Sequence, residues 1–70
     1  MIIFTNHAKK RMRERKILKS QIIAAIENPE SAESQENDLK ILRRKFGDKI
    51  LELVIESGKN KVIVVTLYWL

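Results

Sequence analysis

The part of the chain after residue 38 constrains the fold most, because it contains three strand-like runs separated by two turn signals. Leu39–Phe46, Lys49–Glu56 and Lys61–Trp69 are rich in isoleucine, valine, leucine and aromatic residues. Gly47-Asp48 and Ser57-Gly58-Lys59-Asn60 supply the residue types that tight turns prefer. The three runs therefore predict successive antiparallel strands, a β meander.

Alternation within the middle run predicts which side of the sheet is buried. Leu51, Leu53 and Ile55 alternate with a set that includes two glutamates. Successive side chains of a strand point to opposite faces, so these three residues are expected to face the core. The uninterrupted run Val62-Ile63-Val64-Val65 predicts that the last strand lies inside the sheet rather than at its edge.

A first helix is predicted near the start of the chain. Thr5 or Asn6 can cap its N-terminus, and the helix is expected to end near Lys16. Its apolar stripe is thin, consisting of Ala8 and Met12 within the helix. A thin stripe predicts a helix that lies on the surface with most of its circumference in water.

A second helix is predicted over Gln21–Glu27, with Ser20 as its cap. Asn28-Pro29 ends it, because proline disfavours helical geometry in the residue before it. Its predicted buried face consists of Ile22, Ile23 and Ile26. The polar, acidic stretch Glu30–Asp38 reads as a connection, with a short edge strand at Ala32–Gln35.

These elements predict a single α+β domain over residues 1–70, with two N-terminal helices packed on one face of a three- to four-stranded antiparallel sheet. Seventy residues lie close to the lower limit for folding on a hydrophobic core alone, and there is no cysteine to form a disulfide. A second copy of the chain is therefore one candidate partner.

No apolar run is long enough to span a membrane. We expect a cytoplasmic protein without a membrane partner.

The net charge of +5 is distributed unevenly along the chain. Residues 1–20 carry seven Lys and Arg against one Glu, a net +6, whereas residues 21–38 carry five acidic residues and no basic one, a net −5. Residues 39–70 carry seven basic and three acidic residues, a net +4. If the basic segments share a face, a polyanion is the expected partner. The alternative is that these charges only solvate the surface.

Three residues of the predicted first helix carry the chemistry: His7, Arg11 and Arg15. Their spacing of four places them on one ridge of a helix, which presents the only imidazole of the chain beside two guanidinium groups. An imidazole can take and return a proton near neutral pH. Guanidinium groups match phosphate oxygens and stabilise the added negative charge of a phosphorane transition state.

Each of these residues also has a purely structural interpretation. His7 could cap the helix or bond to a neighbouring strand, and Arg11 could form an ion pair with Glu14 or with the acidic connection. Arg15 could equally lie free in solvent, because charge runs on helices are usually solvated. At this stage both interpretations stay open.

Four residues of the predicted sheet are candidates for binding nucleic acid. Arg43 and Lys45 share one face of the first meander strand, and Thr66 and Tyr68 share a face of the last one. A tyrosine on a basic sheet can stack a base or bond a phosphate. We expect no metal site, because the chain has one histidine, no cysteine and only scattered acidic residues. We also expect no nucleotide cofactor, because the sequence contains no glycine-rich phosphate-binding loop.

Nearly the whole chain resembles the bacterial and archaeal family called domain of unknown function 4258. The string His7-Ala8, Arg11-Met12 and Arg15 carries the resemblance, together with Glu27-Asn28-Pro29 and the ending Ile63-Val64-Val65-Thr66-Leu67-Tyr68. That family has been grouped with the barnase–EndoU–colicin–RelE nuclease fold. The resemblance implies a RelE-like fold and a toxin-like, metal-independent ribonuclease ancestry. It implies His7, Arg11 and Arg15 as the site, with Tyr68 or Thr66 as a contribution from the last strand.

Three hypotheses follow. The first is a toxin-like endoribonuclease that acts on RNA or ribosome-bound mRNA, with His7 as general base or acid and Arg11 and Arg15 holding the scissile phosphate. The second is a module that binds RNA or an acidic partner, such as an antitoxin protein, without chemistry. The third is a structural domain in which His7 and Arg11 are buried and merely pin helix to sheet.

Overall fold

A computed structural model describes all residues, 1–70, as two helices and a five-stranded sheet. In chain order the elements are β1 (Ile2–Phe4), α1 (Asn6–Arg15), α2 (Lys19–Glu27), β2 (Ser31–Ser34), β3 (Leu39–Phe46), β4 (Lys49–Gly58) and β5 (Lys61–Trp69). Neither helix is both long and apolar enough to cross a membrane.

The sheet has the strand order β1-β5-β4-β3-β2. The predicted meander is confirmed, since β3, β4 and β5 pair antiparallel, and the predicted edge strand is present as β2. β5 lies inside the sheet, as its apolar run predicted. The α+β class is confirmed, with both helices contributing to one core on one face of the sheet.

Two details of the sheet prediction are wrong. The sheet has five strands rather than three or four, and it is mixed rather than antiparallel, because Ile2–Phe4 pairs parallel with Val62–Val64. Three residues are too short for a recognisable strand pattern. Their partner lies some sixty residues away, so nothing local indicated the pairing.

The helices follow the prediction closely. α1 begins after the N-cap Thr5 and ends at Lys16, which adopts a left-handed conformation as C-cap. α2 begins two residues earlier than predicted, after Leu18 rather than after Ser20. The reason is local: the side-chain oxygen of Gln21 accepts a hydrogen bond from the Leu18 N–H at 2.9 Å, which satisfies a backbone donor at the helix start.

The core lies between the helices and one face of the sheet. Its fully buried members on β4 and β5 include Leu51, Leu53 and Leu67, and Ile55 is nearly so; the prediction for β4 is thus confirmed. From α2, Ile22 and Ala25 are fully buried, whereas Ile23 and Ile26 are only partly so. The buried stripe of α2 thus includes Ala25, which the prediction from the isoleucines alone did not include.

A β-bulge in β5 determines which side chains of its second half face away from the helices. Val54 pairs with Thr66 and Ile55 with Val64, so Val65 is an extra residue. A bulge shifts the alternation by one, so Leu67 continues the buried face that Val64 occupies. Thr66 and Tyr68 consequently lie on the helix-free face of the sheet.

Candidate active site

Helix α1 lies along the part of β5 that β1 leaves unpaired. β1 ends at Phe4, and the chain turns into the helix through Thr5, whose hydroxyl makes two hydrogen bonds. It accepts from the Ala8 N–H at 3.0 Å and donates to the carbonyl of Val65 at 2.9 Å. One threonine therefore caps the helix and also fixes its first turn to the bulge of β5.

The ridge of α1 and the end of β5 together line a groove of about 410 Å³, which is the single pocket in the molecule. Its lining consists of His7, Arg11, Arg15, Thr66, Leu67, Tyr68 and Trp69. The three ridge residues predicted from their spacing therefore do share one concavity. The two predicted β5 residues, Thr66 and Tyr68, line the same groove.

His7 is exposed and is held in the groove by one side-chain contact. Its Nε2 atom lies 3.0 Å from the hydroxyl oxygen of Thr66. A threonine hydroxyl can donate to a neutral imidazole or accept from its N–H, so this contact orients the ring in either tautomer. The exposure of His7 differs from the burial that the structural hypothesis predicted.

The two arginines differ in their partners. Arg11 Nη1 lies 3.3 Å from Glu14 Oε1, and both side chains are well exposed, so the ion pair foreseen for Arg11 is present but is a weak surface contact. The Arg15 side chain makes no ion pair. The Arg15 carbonyl accepts a hydrogen bond of 3.2 Å from the indole N–H of Trp69, which ties the end of α1 to the last residue of β5.

Arg43 and Lys45 lie on the helix-free face of the sheet but do not line the groove. Lys45 is exposed and forms no ion pair. Arg43 donates through Nε to the carboxylate of Glu52, and its Nη1 lies 3.9 Å from Glu33 Oε2. The charge of Arg43 is therefore partly balanced by carboxylates within the protein.

Sequence reasoning missed Glu52, Leu67 and Trp69. Glu52 is only 5% exposed and pairs across the strands with Arg43 on one side and Tyr68 on the other. The strand register could have indicated Glu52, because pairing β3 with β4 across the Gly47-Asp48 turn places Arg43 opposite Glu52. Leu67 and Trp69 read only as core residues, and nothing in their spacing indicated a groove.

The comparisons with known proteins identify a family without an assigned activity. A family model described as "Domain of unknown function (DUF4258)" matches residues 4–69. No curated protein and no solved structure matches the chain. The match agrees with the family resemblance of the ridge residues, and it covers every residue that lines the groove.

Proposed function

This chain belongs to the DUF4258 family, whose description assigns no activity, and we propose from its groove that it is a toxin-like, metal-independent endoribonuclease. The observation that carries the proposal is the groove in which an imidazole held at 3.0 Å from a threonine hydroxyl adjoins two guanidinium groups. A proton-transfer group beside fixed cations is what cleavage of a phosphodiester by the ribose 2′-hydroxyl requires.

In the proposed reaction His7 takes the proton from the 2′-hydroxyl. The 2′-oxygen then bonds to phosphorus, the bond from phosphorus to the 5′-oxygen breaks, and the His7 imidazolium returns the proton to that leaving oxygen. The products are a 2′,3′-cyclic phosphate and a 5′-hydroxyl end. Arg11 and Arg15 stabilise the phosphorane, whose negative charge exceeds that of the ground state.

Thr66 and Tyr68 supply the strand side of the site. The Thr66 hydroxyl orients the His7 ring, and the exposed ring of Tyr68 stacks a base beside the scissile phosphate. Lys45 and Arg43 lie farther along the same sheet face and contact the RNA backbone. Lys45 contributes more of this attraction, because Glu52 and Glu33 offset the charge of Arg43.

The proposal is tested with a labelled mRNA in a cell-free translation extract, followed by gel analysis of the RNA. Wild type is expected to cut the RNA, and His7→Ala to cut about 10²–10⁴-fold more slowly, the range that loss of general acid–base catalysis produces. Cleavage of naked RNA in the presence of a metal chelator then separates free from ribosome-dependent activity. It also tests metal independence.

A matched pair of arginine variants separates the groove from general positive charge. Arg15→Gln removes a guanidinium that lines the groove, and Arg13→Gln removes an exposed one from the same helix that does not. Arg15→Gln is expected to slow cleavage about 10²-fold or more, as for other donors that stabilise a transition state. Equal activity of the two variants would contradict the proposed site.

A second candidate function, a module that binds RNA or an acidic protein without chemistry, is favoured by the contact between Arg11 and Glu14. Because this ion pair lies at the surface, a carboxylate of an acidic partner can take the place of Glu14 beside Arg11. This function predicts intact RNA in every lane and salt-dependent binding that His7→Ala leaves nearly unchanged. This function would be established if wild type and His7→Ala both bind a non-cleavable 2′-O-methyl RNA and wild type does not cleave unmodified RNA.

A further inference from the structure

Two aromatic rings and two cations form a cluster on the helix side of the sheet, at the end where β3 and β5 finish and β4 begins. Phe46 and Trp69 pack edge to face, with ring centroids 6.4 Å apart and planes at 83°. The Arg44 guanidinium lies 5.5 Å from the centroid of the Phe46 ring. The Lys49 ammonium lies 5.7 Å from the centroid of the Trp69 ring. We call these four residues the strand-end cluster.

Lys49 is the cation of the strand-end cluster that has no partner within the protein. Arg44 donates to the carbonyls of Ala24 at 3.4 Å and of Asn28 at 3.0 Å, so its guanidinium is already engaged at the end of α2. Lys49 is exposed and forms no ion pair. Because an exposed ammonium lies over it, this face of the Trp69 ring is turned towards solvent rather than towards the core.

Trp69 connects the strand-end cluster to the groove, because it belongs to the cluster and also lines the groove. Its indole N–H donates to the Arg15 carbonyl, which fixes the ring beside the end of α1. Tyr68 and Trp69 are successive residues of β5, so their side chains point to opposite faces of the sheet. The groove therefore has one aromatic ring on the helix-free side and one on the helix side.

We propose that the strand-end cluster is a second nucleotide subsite for single-stranded RNA, on the opposite side of the scissile phosphate from the base on Tyr68. The inference rests on the proposed function for its ligand, RNA. A base stacks on the Trp69 ring in place of the Lys49 ammonium, and Lys49 binds the phosphate of that nucleotide. Rings beside cations are the arrangement by which proteins bind single strands without reading their sequence. A duplex is excluded because its bases already stack on one another.

Trp69 is the only tryptophan of the chain, so its fluorescence reports directly on stacking at this subsite. The protein is titrated with two non-cleavable 2′-O-methyl RNAs, a dinucleotide that fills the groove and a pentanucleotide that extends beyond the groove on both sides. The pentanucleotide is expected to quench Trp69 more strongly. It is also expected to bind about 10- to 100-fold more tightly, the range that stacking of one further base contributes.

Substitution of Lys49 separates the strand-end cluster from the rest of the RNA path. Lys49→Gln is expected to weaken binding of the pentanucleotide about 5- to 10-fold and to leave binding of the dinucleotide unchanged. It should also reduce the slope of log affinity against log salt by about 0.7, the value for one phosphate contact on a single strand. Lys49→Arg keeps the charge and should restore both. Lys59→Gln changes an exposed lysine in the turn at the other end of β4 and is the matched control.

Two results would overturn the inference alone. If the pentanucleotide binds no more tightly than the dinucleotide, no subsite lies beyond the groove. If Lys49→Gln binds the pentanucleotide as Lys59→Gln does, the strand-end cluster only completes the packing of the sheet end. If wild type binds neither RNA, the inference and the proposed function both fail. Because 2′-O-methyl RNA is not cleaved, a protein without ribonuclease activity still shows the subsite, so loss of the proposed catalysis is told apart from loss of the subsite.

Discussion

Replacing Arg43 with methionine removes the cation that bonds the buried carboxylate of Glu52. Methionine keeps much of the aliphatic stem of arginine but offers no hydrogen-bond donor. The side chain of Glu52 is only 6% exposed, so water cannot replace the lost partner without local opening of the sheet. The expected result is a folded but clearly destabilised protein.

The magnitude follows from how far each partner is buried. Leaving one charge of a fully buried ion pair without its partner costs about 3–5 kcal/mol. The Arg43 side chain is 37% exposed, which lets some solvent reach the site, so we expect a loss of about 2–3 kcal/mol. A domain of this size has a total stability of about 4–10 kcal/mol. The loss therefore removes a large share of it.

Urea denaturation followed by circular dichroism measures the effect. With a denaturant slope of about 1 kcal/mol per molar, Arg43→Met is expected to lower the urea midpoint by about 2–3 M. Removing both charges in the double variant with Glu52→Leu should recover stability to within about 1 kcal/mol of wild type, because no unpaired charge remains. The exposed Arg13→Met serves as control and should change stability by less than about 0.5 kcal/mol.

The double-mutant cycle decides whether this reasoning holds. A loss below about 0.5 kcal/mol in Arg43→Met would show that Glu52 does not need its partner. Additive effects of the two single substitutions would show that the residues do not interact energetically. Either result would also mean that Glu52 does not offset the charge of Arg43 in its proposed contact with the RNA backbone.

Three further outcomes are expected of single substitutions. Thr5→Val, which removes the cap of α1 and its bond to Val65, should lower the unfolding free energy by about 1–2 kcal/mol, measured in urea. Lys16→Gly should raise it by about 0.5–1 kcal/mol, because glycine adopts the left-handed conformation of that residue (φ 54°) without strain; a loss of stability would contradict this. Trp69→Phe should lower the melting temperature by about 4–8 °C through loss of the bond to the Arg15 carbonyl, and an unchanged melting curve would show that this bond is dispensable.

Much of the fold could be predicted because its signals are local. The meander follows from strand-forming runs separated by turn residues, and α1 follows from Thr5 and the spacing of Ala8 and Met12. β1 could not be predicted, because its pairing depends on a partner some sixty residues away. The bulge at Val65 was equally hidden, since the run around it is uniformly apolar and shows no break in pattern.

The candidate site could be predicted only in part from the sequence, for a related reason. The helical spacing of His7, Arg11 and Arg15 is a local property, and the groove brings these three together. Burial of Glu52 is not local, since it arises from neighbours on two other strands. A glutamate in an alternating strand is normally exposed, and only the pairing register shows that this one is not.

The parallel pairing of β1 with β5 has a consequence for the order in which the molecule folds. The hydrogen bond from the Met1 amino group to the Asn60 carbonyl spans 59 residues, and closing a loop of that length costs about 4 kcal/mol of chain entropy. The hairpins of β3, β4 and β5 close through short turns and can form much earlier. β1 then docks late, and α1, which follows it directly, reaches its place on β5 with it. Amide hydrogens of Ile2–Phe4 should accordingly exchange faster than those of β4, and each such opening dismantles the groove while the meander stays intact.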